Sequence, residues 1–262
     1  MKVDVKSKAE IDRMREACRM SAEIRDICAG AVRPGVTTGE IDDLVVEYCR
    51  KHSVSASFYR YPGGRGHPDF PGHLCVSIND EIIHGIPSRH RVIMPGDLVK
   101  TDVGIYKNGF HGDTSRTVAL GVTDPETLRL VEVTKACLKA GIAAAGPGVH
   151  LGDVGHAIEE VALKAGFGVV RDWIGHGVGR TVHEDPEVPN YGVPGKGLVL
   201  KPGMTIAIEP MITMTKRGEK TYVGDDDWTV FTADNCLSAH FEHTVAITDH
   251  GAEILTLPAD YP

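Results

Sequence analysis

The sequence predicts an α+β fold: an antiparallel sheet with pseudo-twofold symmetry and helices on its outer face. Three observations carry that expectation. Helix-period segments come before strand-like runs in both halves of the chain, a set of short motifs recurs in the same order, and acidic residues interrupt the apolar strand-like runs. One domain spans 1–262, made of two halves at about 7–120 and 121–257.

The first helix is expected over 7–31, where Ile11, Met14, Ala17, Ile24 and Ile27 follow helical spacing and Ser7 with Glu10 forms a capping box. A second begins near Thr37, where Thr37 and Glu40 repeat the capping pattern, and runs to His52 with Ile41, Leu44, Val45 and Tyr48 on one face. Pro34-Gly35-Val36 and its helical run are echoed by Pro147-Gly148-Val149 and the run after it. Pro95-Gly96 introduces DLVKTDVGI, and Pro202-Gly203 introduces MTIAIEPMI; Asp102 and Glu209 each lie seven places after the proline. His84 opens HGIP and His183 opens HEDP. Features repeated in one order indicate duplication. Strands are expected at 98–106, 114–120, 205–212 and 244–248, joined in one continuous sheet with a cleft where matched residues face each other.

With 28 Lys+Arg against 36 Asp+Glu, the net charge of −8 argues against a protein built to grip nucleic acid or an anionic membrane. No long apolar run occurs and the N-terminal segment is charged, so a cytoplasmic location is expected. The six cysteines are scattered without a CxxC pair, which suits neither a disulfide framework nor a zinc knuckle.

Asn108-Gly109 is a two-residue hairpin signal. With those two in the loop, Asp102 faces Ser115 and Asp113 is its diagonal neighbour on the same face. Asp102 follows the apolar run of LVKTDV, Glu209 ends that of MTIAIEPM, and Glu242 sits in AHFEHTVAI. Buried carboxylates are costly without a compensating cation or donors. His176 in GHGVG is flanked by glycines, read as letting the backbone approach a ligand. Four carboxylates and one imidazole suit Mn, Fe(II), Co or Zn, and carboxylates can bridge two ions, so a two-metal hydrolytic site is expected.

The motifs IIHGIP, KTDVGI, FHGDTS, GHGVGRTVHEDP, AIEPM, DDWTV and SAHFEHT, in this order over most of the chain, resemble the type I methionine aminopeptidases. The resemblance implies the duplicated pita-bread fold, one catalytic domain, and two divalent metal ions held by Asp102, Asp113, His176, Glu209 and Glu242. Asp113 and Glu242 would bridge both ions. It makes Glu209 the general base, His183 a donor to the scissile carbonyl or its oxyanion, and His84 a contact beyond the first residue that assists proton transfer. Cys75, Trp228 and Phe70 would line the apolar pocket for the methionine side chain.

The implied activity is removal of the N-terminal methionine from nascent polypeptides with a small second residue, by hydroxide held between the two ions. A transient encounter with the ribosome, no direct nucleic-acid or membrane partner, and a monomer are expected. The stretch FYRYPGGRGHPDFPG is longer than the family loop, and Val182 stands where relatives often carry phenylalanine. The same fold serves Xaa-Pro and broader-specificity aminopeptidases and non-catalytic binding modules. The early start of the first repeat helix and the short distance from His183 to Glu209 favour the type I reading, and all five ligand positions are present.

Overall fold

A computed structural model describes residues 3–258 apart from Arg65. The first half opens with helices α1 (Lys8–Ala31) and α2 (Thr38–His52), each begun by the expected capping box at Ser7/Glu10 and Thr37/Glu40. Strands β1 (Ser55–Ala56), β2 (Cys75–Ile78) and β3 (Glu81–Ile83) precede the long hairpin of β4 (Leu98–Lys107) and β5 (Phe110–Ala119). The second half opens with α3 (Pro125–Ala144) and α4 (Leu151–Lys164) and continues through β6 (Gly168–Val169), β7 (Gly175–Gly177), β8 (Glu184–Val188), β9 (Thr205–Ile208) and β10 (Met211–Thr213). It closes with β11 (Thr221–Val223), β12 (Val230–Thr232), β13 (Ser238–His240), β14 (His243–Thr248) and β15 (Gly251–Ile254).

The loops entering α2 and α4 are built alike. Gly35 and Gly148 have φ of 86° and 85°, and their N–H groups donate to Ile93 O and Leu200 O, both at 2.9 Å. Ile93 and Leu200 donate back to Val36 O and Val149 O, both at 2.8 Å.

Among the described residues the strands pair antiparallel, as expected, but the hydrogen bonds form four ladders instead of one continuous sheet: β1-β4-β2 with β5 on β4; β13-β10-β6; β11-β12-β3; and β15-β14-β9-β7-β8. Two local causes are visible. The run expected over 205–212 breaks at Glu209-Pro210, where proline has no N–H for a ladder. Where β5 meets the β13–β14 chain, threonine hydroxyls take the place of ladder bonds. Thr244 Oγ1 accepts from Asp113 N at 3.1 Å and donates to Asp113 O at 2.7 Å; Thr117 Oγ1 accepts from His240 N at 2.9 Å and donates to His240 O at 2.7 Å.

Helix α1 lies against the hairpin at backbone distance. Ser21 Oγ is 3.0 Å from Gly112 O and accepts the Ile105 N–H at 3.0 Å. A Cβ on Gly112 would sit 2.5 Å from Cys18 Cα. Ile27, expected on the buried face of α1, is exposed, while Cys18, Cys28 and Met20 complete that face.

Gly112→Ala is therefore expected to lower stability by about 3 kcal/mol in urea unfolding, the cost of overpacking where only backbone lines the contact. Gly30→Ala, on α1 with nothing within 4 Å of its Cβ, should be neutral or stabilising by up to about 1 kcal/mol.

Candidate metal centre and active site

The hairpin turns at Asn108 (φ 53°) and Gly109 (φ 86°), and this fixes the expected register: Asp102 pairs with Ser115, and Gly104 with Asp113. Asp102 and Asp113 thus lie diagonally on one face. On its other side Asp102 pairs with Cys75 of β2. Glu209 occupies the break after β9, its carbonyl receiving Asn190 Nδ2–H at 3.1 Å. Glu242 lies between β13 and β14; its N–H donates to Ser115 O at 3.2 Å and its carbonyl accepts from Thr114 Oγ1 at 2.8 Å.

His176 is the centre of β7. Its flanking glycines serve strand packing, which corrects the reading that they admit a ligand. A Cβ on Gly175 would meet Ala207 O at 2.4 Å, and one on Gly177 would meet Asp185 O at 2.3 Å.

The donor atoms of Asp113, His176 and Glu242 lie within 4.8 Å of one another. His176 Nε2 is 3.4 Å from Glu209 Oε1 and 3.9 Å from Asp113 Oδ2. Its Nδ1 lies 2.9 Å from the Gly177 carbonyl, which can only accept, so Nδ1 carries the proton and Nε2 presents a bare lone pair to the carboxylates. Asp102 Oδ1, Asp113 Oδ1 and Glu242 Oε1 are buried without a hydrogen-bond partner among the described residues.

Burial lifts Asp102 and Glu209 to about 7. Burial, reinforced by repulsion among the carboxylates, holds Asp113 and Glu242 well above the ordinary range. Orphaned carboxylate oxygens and an imidazole lone pair facing one another repel unless a cation lies between them. The residues present therefore fit a divalent metal, with hard oxygen donors, one nitrogen and no thiolate.

One cavity brings together all five expected ligands with His84, His183, Cys75, Phe70 and Trp228. His183 stacks edge-on against His176 with centroids 4.3 Å apart. Its loop is pinned by Glu184, which accepts from the N–H groups of Arg180 and Thr181 and from the buried Lys6 ammonium. His84 adopts φ of 59°, a left-handed conformation costing about 1 kcal/mol or more in a non-glycine residue. The next residue is anchored on both sides: Val76 N–H donates to Gly85 O at 2.9 Å, and Gly85 N–H donates to the Ser77 side-chain Oγ at 3.0 Å. Its ring meets Trp173 edge-on at 5.3 Å. Burial pushes His84 down to about 4 and His183 down to about 2, so both rings are neutral at pH 7.

The cavity also contains side chains that sequence reasoning missed: Phe58, Tyr61 and Ile83. The aromatic cluster FYRY was the available signal for the first two. His240, two residues before Glu242, was also missed; its Nε2 is 3.3 Å from Glu209 Oε2.

The model of metallopeptidase family M24 matches residues 12–249. A methionine aminopeptidase of Clostridium acetobutylicum is 46% identical over 253 residues, covering 97% of this chain and 98% of its own length. One from Escherichia coli K12 is 40% identical over 262 residues, covering 99% and 96%. The crystal structure of a Thermotoga maritima methionine aminopeptidase superposes with a TM-score of 0.91 at 41% identity, covering 97% of this chain and 99% of that one. A prolidase from Pyrococcus furiosus reaches 0.74 at 26% identity, with 97% of this chain against 65% of that one. The pita-bread fold is common to these neighbours. By sequence, fold and metal-ligand chemistry, the chain belongs to metallopeptidase family M24, in its methionine aminopeptidase branch.

Proposed function

We propose that the chain removes the N-terminal methionine from nascent polypeptides whose second residue is small, with two divalent ions held by Asp102, Asp113, His176, Glu209 and Glu242. The observation that carries this reading is the cluster of unpartnered buried carboxylate oxygens and the bare His176 Nε2, opening onto an apolar cavity. Asp113, His176 and Glu242, whose donor atoms lie within 4.8 Å of one another, would form the core of the ligand set; Mn, Co, Fe(II) and Zn all suit these donors. Such ions would lower the pKa of water and polarise the substrate carbonyl.

The protein's own groups supply the rest. The substrate's amino group docks at the carboxylate cluster, and the methionine side chain packs among Phe70, Cys75 and Trp228. Glu209 takes the proton of the attacking water and passes it toward the leaving amine. His183, as a neutral ring, donates an N–H to the carbonyl oxygen as negative charge develops there. His84 contacts the peptide beyond the first residue and assists the proton transfer.

The repeated loop geometry at Gly35 and Gly148 supports a single catalytic domain of two pseudo-symmetric halves, about 7–120 and 121–257. Nascent chains are made in the cytoplasm, so this reading places a monomeric enzyme there, meeting its substrates transiently at the ribosome. The acidic balance speaks against a nucleic-acid partner.

Chelator-stripped protein is expected to cleave Met-Ala-Ser once Co, Mn, Fe(II) or Zn is returned, to cleave Met-Leu-Ser poorly, and to leave Ala-Pro-Ser intact. Cleavage of Ala-Pro-Ser would turn the assignment toward an Xaa-Pro peptidase, and no cleavage with any metal would leave a binding module. Glu209→Ala should abolish turnover at every metal concentration, and His183→Ala should lower kcat by roughly 10²-fold. An effect of His183→Ala on KM alone would remove its oxyanion role.

In the metal-free protein the raised carboxyl groups favour the folded state when protonated. Their contribution is present below about pH 4 and is lost as the pH rises through about 7, the position of Asp102 and Glu209. The Tm gain on adding a divalent ion should therefore grow from pH 5 to pH 8. At 100 times Kd it should reach roughly 5–10 °C. A pH-independent gain would contradict the carboxylate cluster as the binding site.

A further inference from the structure

The loop over 58–70 carries Tyr61 to the edge of the cavity. Its base is closed by backbone bonds, Arg60 N–H to Phe70 O at 3.0 Å and Phe70 N–H to Tyr61 O at 2.9 Å. This closure joins Tyr61 to Phe70 directly, so their placement does not depend on the length of the stretch between them. The far side of the loop is tied to the turn over 224–229: Trp228 Nε1–H donates to Pro68 O at 3.0 Å, and His67 Nδ1 lies 3.2 Å from Asp227 Oδ1.

Held this way, the Tyr61 ring meets His183 edge-on at 4.9 Å, and its hydroxyl oxygen lies 2.8 Å from His183 Nδ1. Neither side chain makes another hydrogen bond among the described residues.

A neutral imidazole has one N–H and one bare nitrogen, and the group bound to Nδ1 decides which is which. With Nδ1 as donor, the tyrosine proton would have no protein acceptor among the described residues, and Nε2 would face the cavity as a lone pair beside the carboxylate cluster. With tyrosine as donor, both groups are satisfied and Nε2 keeps its proton.

We propose that Tyr61 is a positioning residue: its O–H donates to His183 Nδ1 and fixes the tautomer and ring orientation in which Nε2–H is offered to the substrate carbonyl. This rests on the reading of His183 as the oxyanion donor. Tyr61 thereby links the aromatic wall of the methionine pocket to the reacting group.

The test compares metal-loaded parent, Tyr61→Phe, His183→Ala and the double variant on Met-Ala-Ser. Tyr61→Phe should lower kcat roughly 5–10-fold, the value of one neutral hydrogen bond, with KM changed less than about 2-fold. In the His183→Ala background it should lower kcat no further, because the two side chains act as one unit.

In ¹⁵N-histidine spectra, the signal lost in His183→Ala should report an Nε2-protonated ring in the parent and a mixed or altered tautomer in Tyr61→Phe. The proposal is overturned if Tyr61→Phe costs the same factor with and without His183, or if it leaves both kcat and tautomer at parent values. Should His183→Ala leave kcat unchanged, the oxyanion reading falls, while the spectra still decide whether Tyr61 sets the tautomer.

Discussion

The structure depends on holding several carboxyl groups close together in a buried site, against their mutual repulsion. Asp113 and Glu242 come from different halves of the chain, and both are buried with an unpartnered carboxylate oxygen. What joins their strands is a seam of threonine hydroxyls. Thr244 bridges both backbone polar groups of Asp113, Thr117 those of His240, and Thr114 reaches the carbonyl of Glu242. A hydroxyl both donates and accepts, so it satisfies a buried peptide unit as a neighbouring strand would, from one side-chain length further off. In this way the backbone groups of Asp113 and His240 are satisfied across the seam. The added width also lets two carboxylates sit where a regular ladder would bring the strands closer.

The surrounding scaffold resists the repulsion by rigid, close packing. Cys18 of α1 rests on Gly112, one residue before Asp113, at a distance that admits no side chain. Gly175 and Gly177 let the strands beside His176 approach equally closely. Pro210 ends the β9 ladder at the point where Glu209 must turn into the cavity. Lys6, almost wholly buried, pairs with Glu184 and so ties the N-terminal segment to the loop that presents His183. These contacts are buried or close-packed, and each fixes in place a side chain that the proposed function uses.

The parts of this arrangement that were legible in sequence are those set by local rules. Asn108-Gly109 dictates a two-residue turn, and the turn dictates the register that places Asp102 diagonal to Asp113. Ser7 and Glu10 mark the start of α1, as Thr37 and Glu40 mark that of α2. The features misread depend on contacts distant in sequence. Only Pro210 announced locally that the strand over 205–212 would split, and the threonine seam that separates β5 from the β13–β14 chain is encoded by no periodicity. The glycines around His176 looked like space for a ligand because the carbonyls of Ala207 and Asp185 that fill that space lie elsewhere in the chain. Tyr61 escaped notice because the residues between it and Phe70 conceal how the loop closes.

The histidines complete the electrostatic logic. Exclusion of water lifts the carboxyl groups and depresses His84 and His183 for one reason, the cost of a charge in a medium that cannot solvate it. Imidazoles beside carboxylates in water would become cationic. At His183 the partial loss of water and the neighbouring rings of His176, His84 and His111 act in the same direction, so it stays neutral, with an N–H to donate. The aromatic wall of Phe70, Trp228 and Tyr61 lines the same cavity and contributes to that exclusion. On the proposed reading, the side chains that would hold the methionine also help keep the neighbouring carboxyl and imidazole groups uncharged before a metal binds.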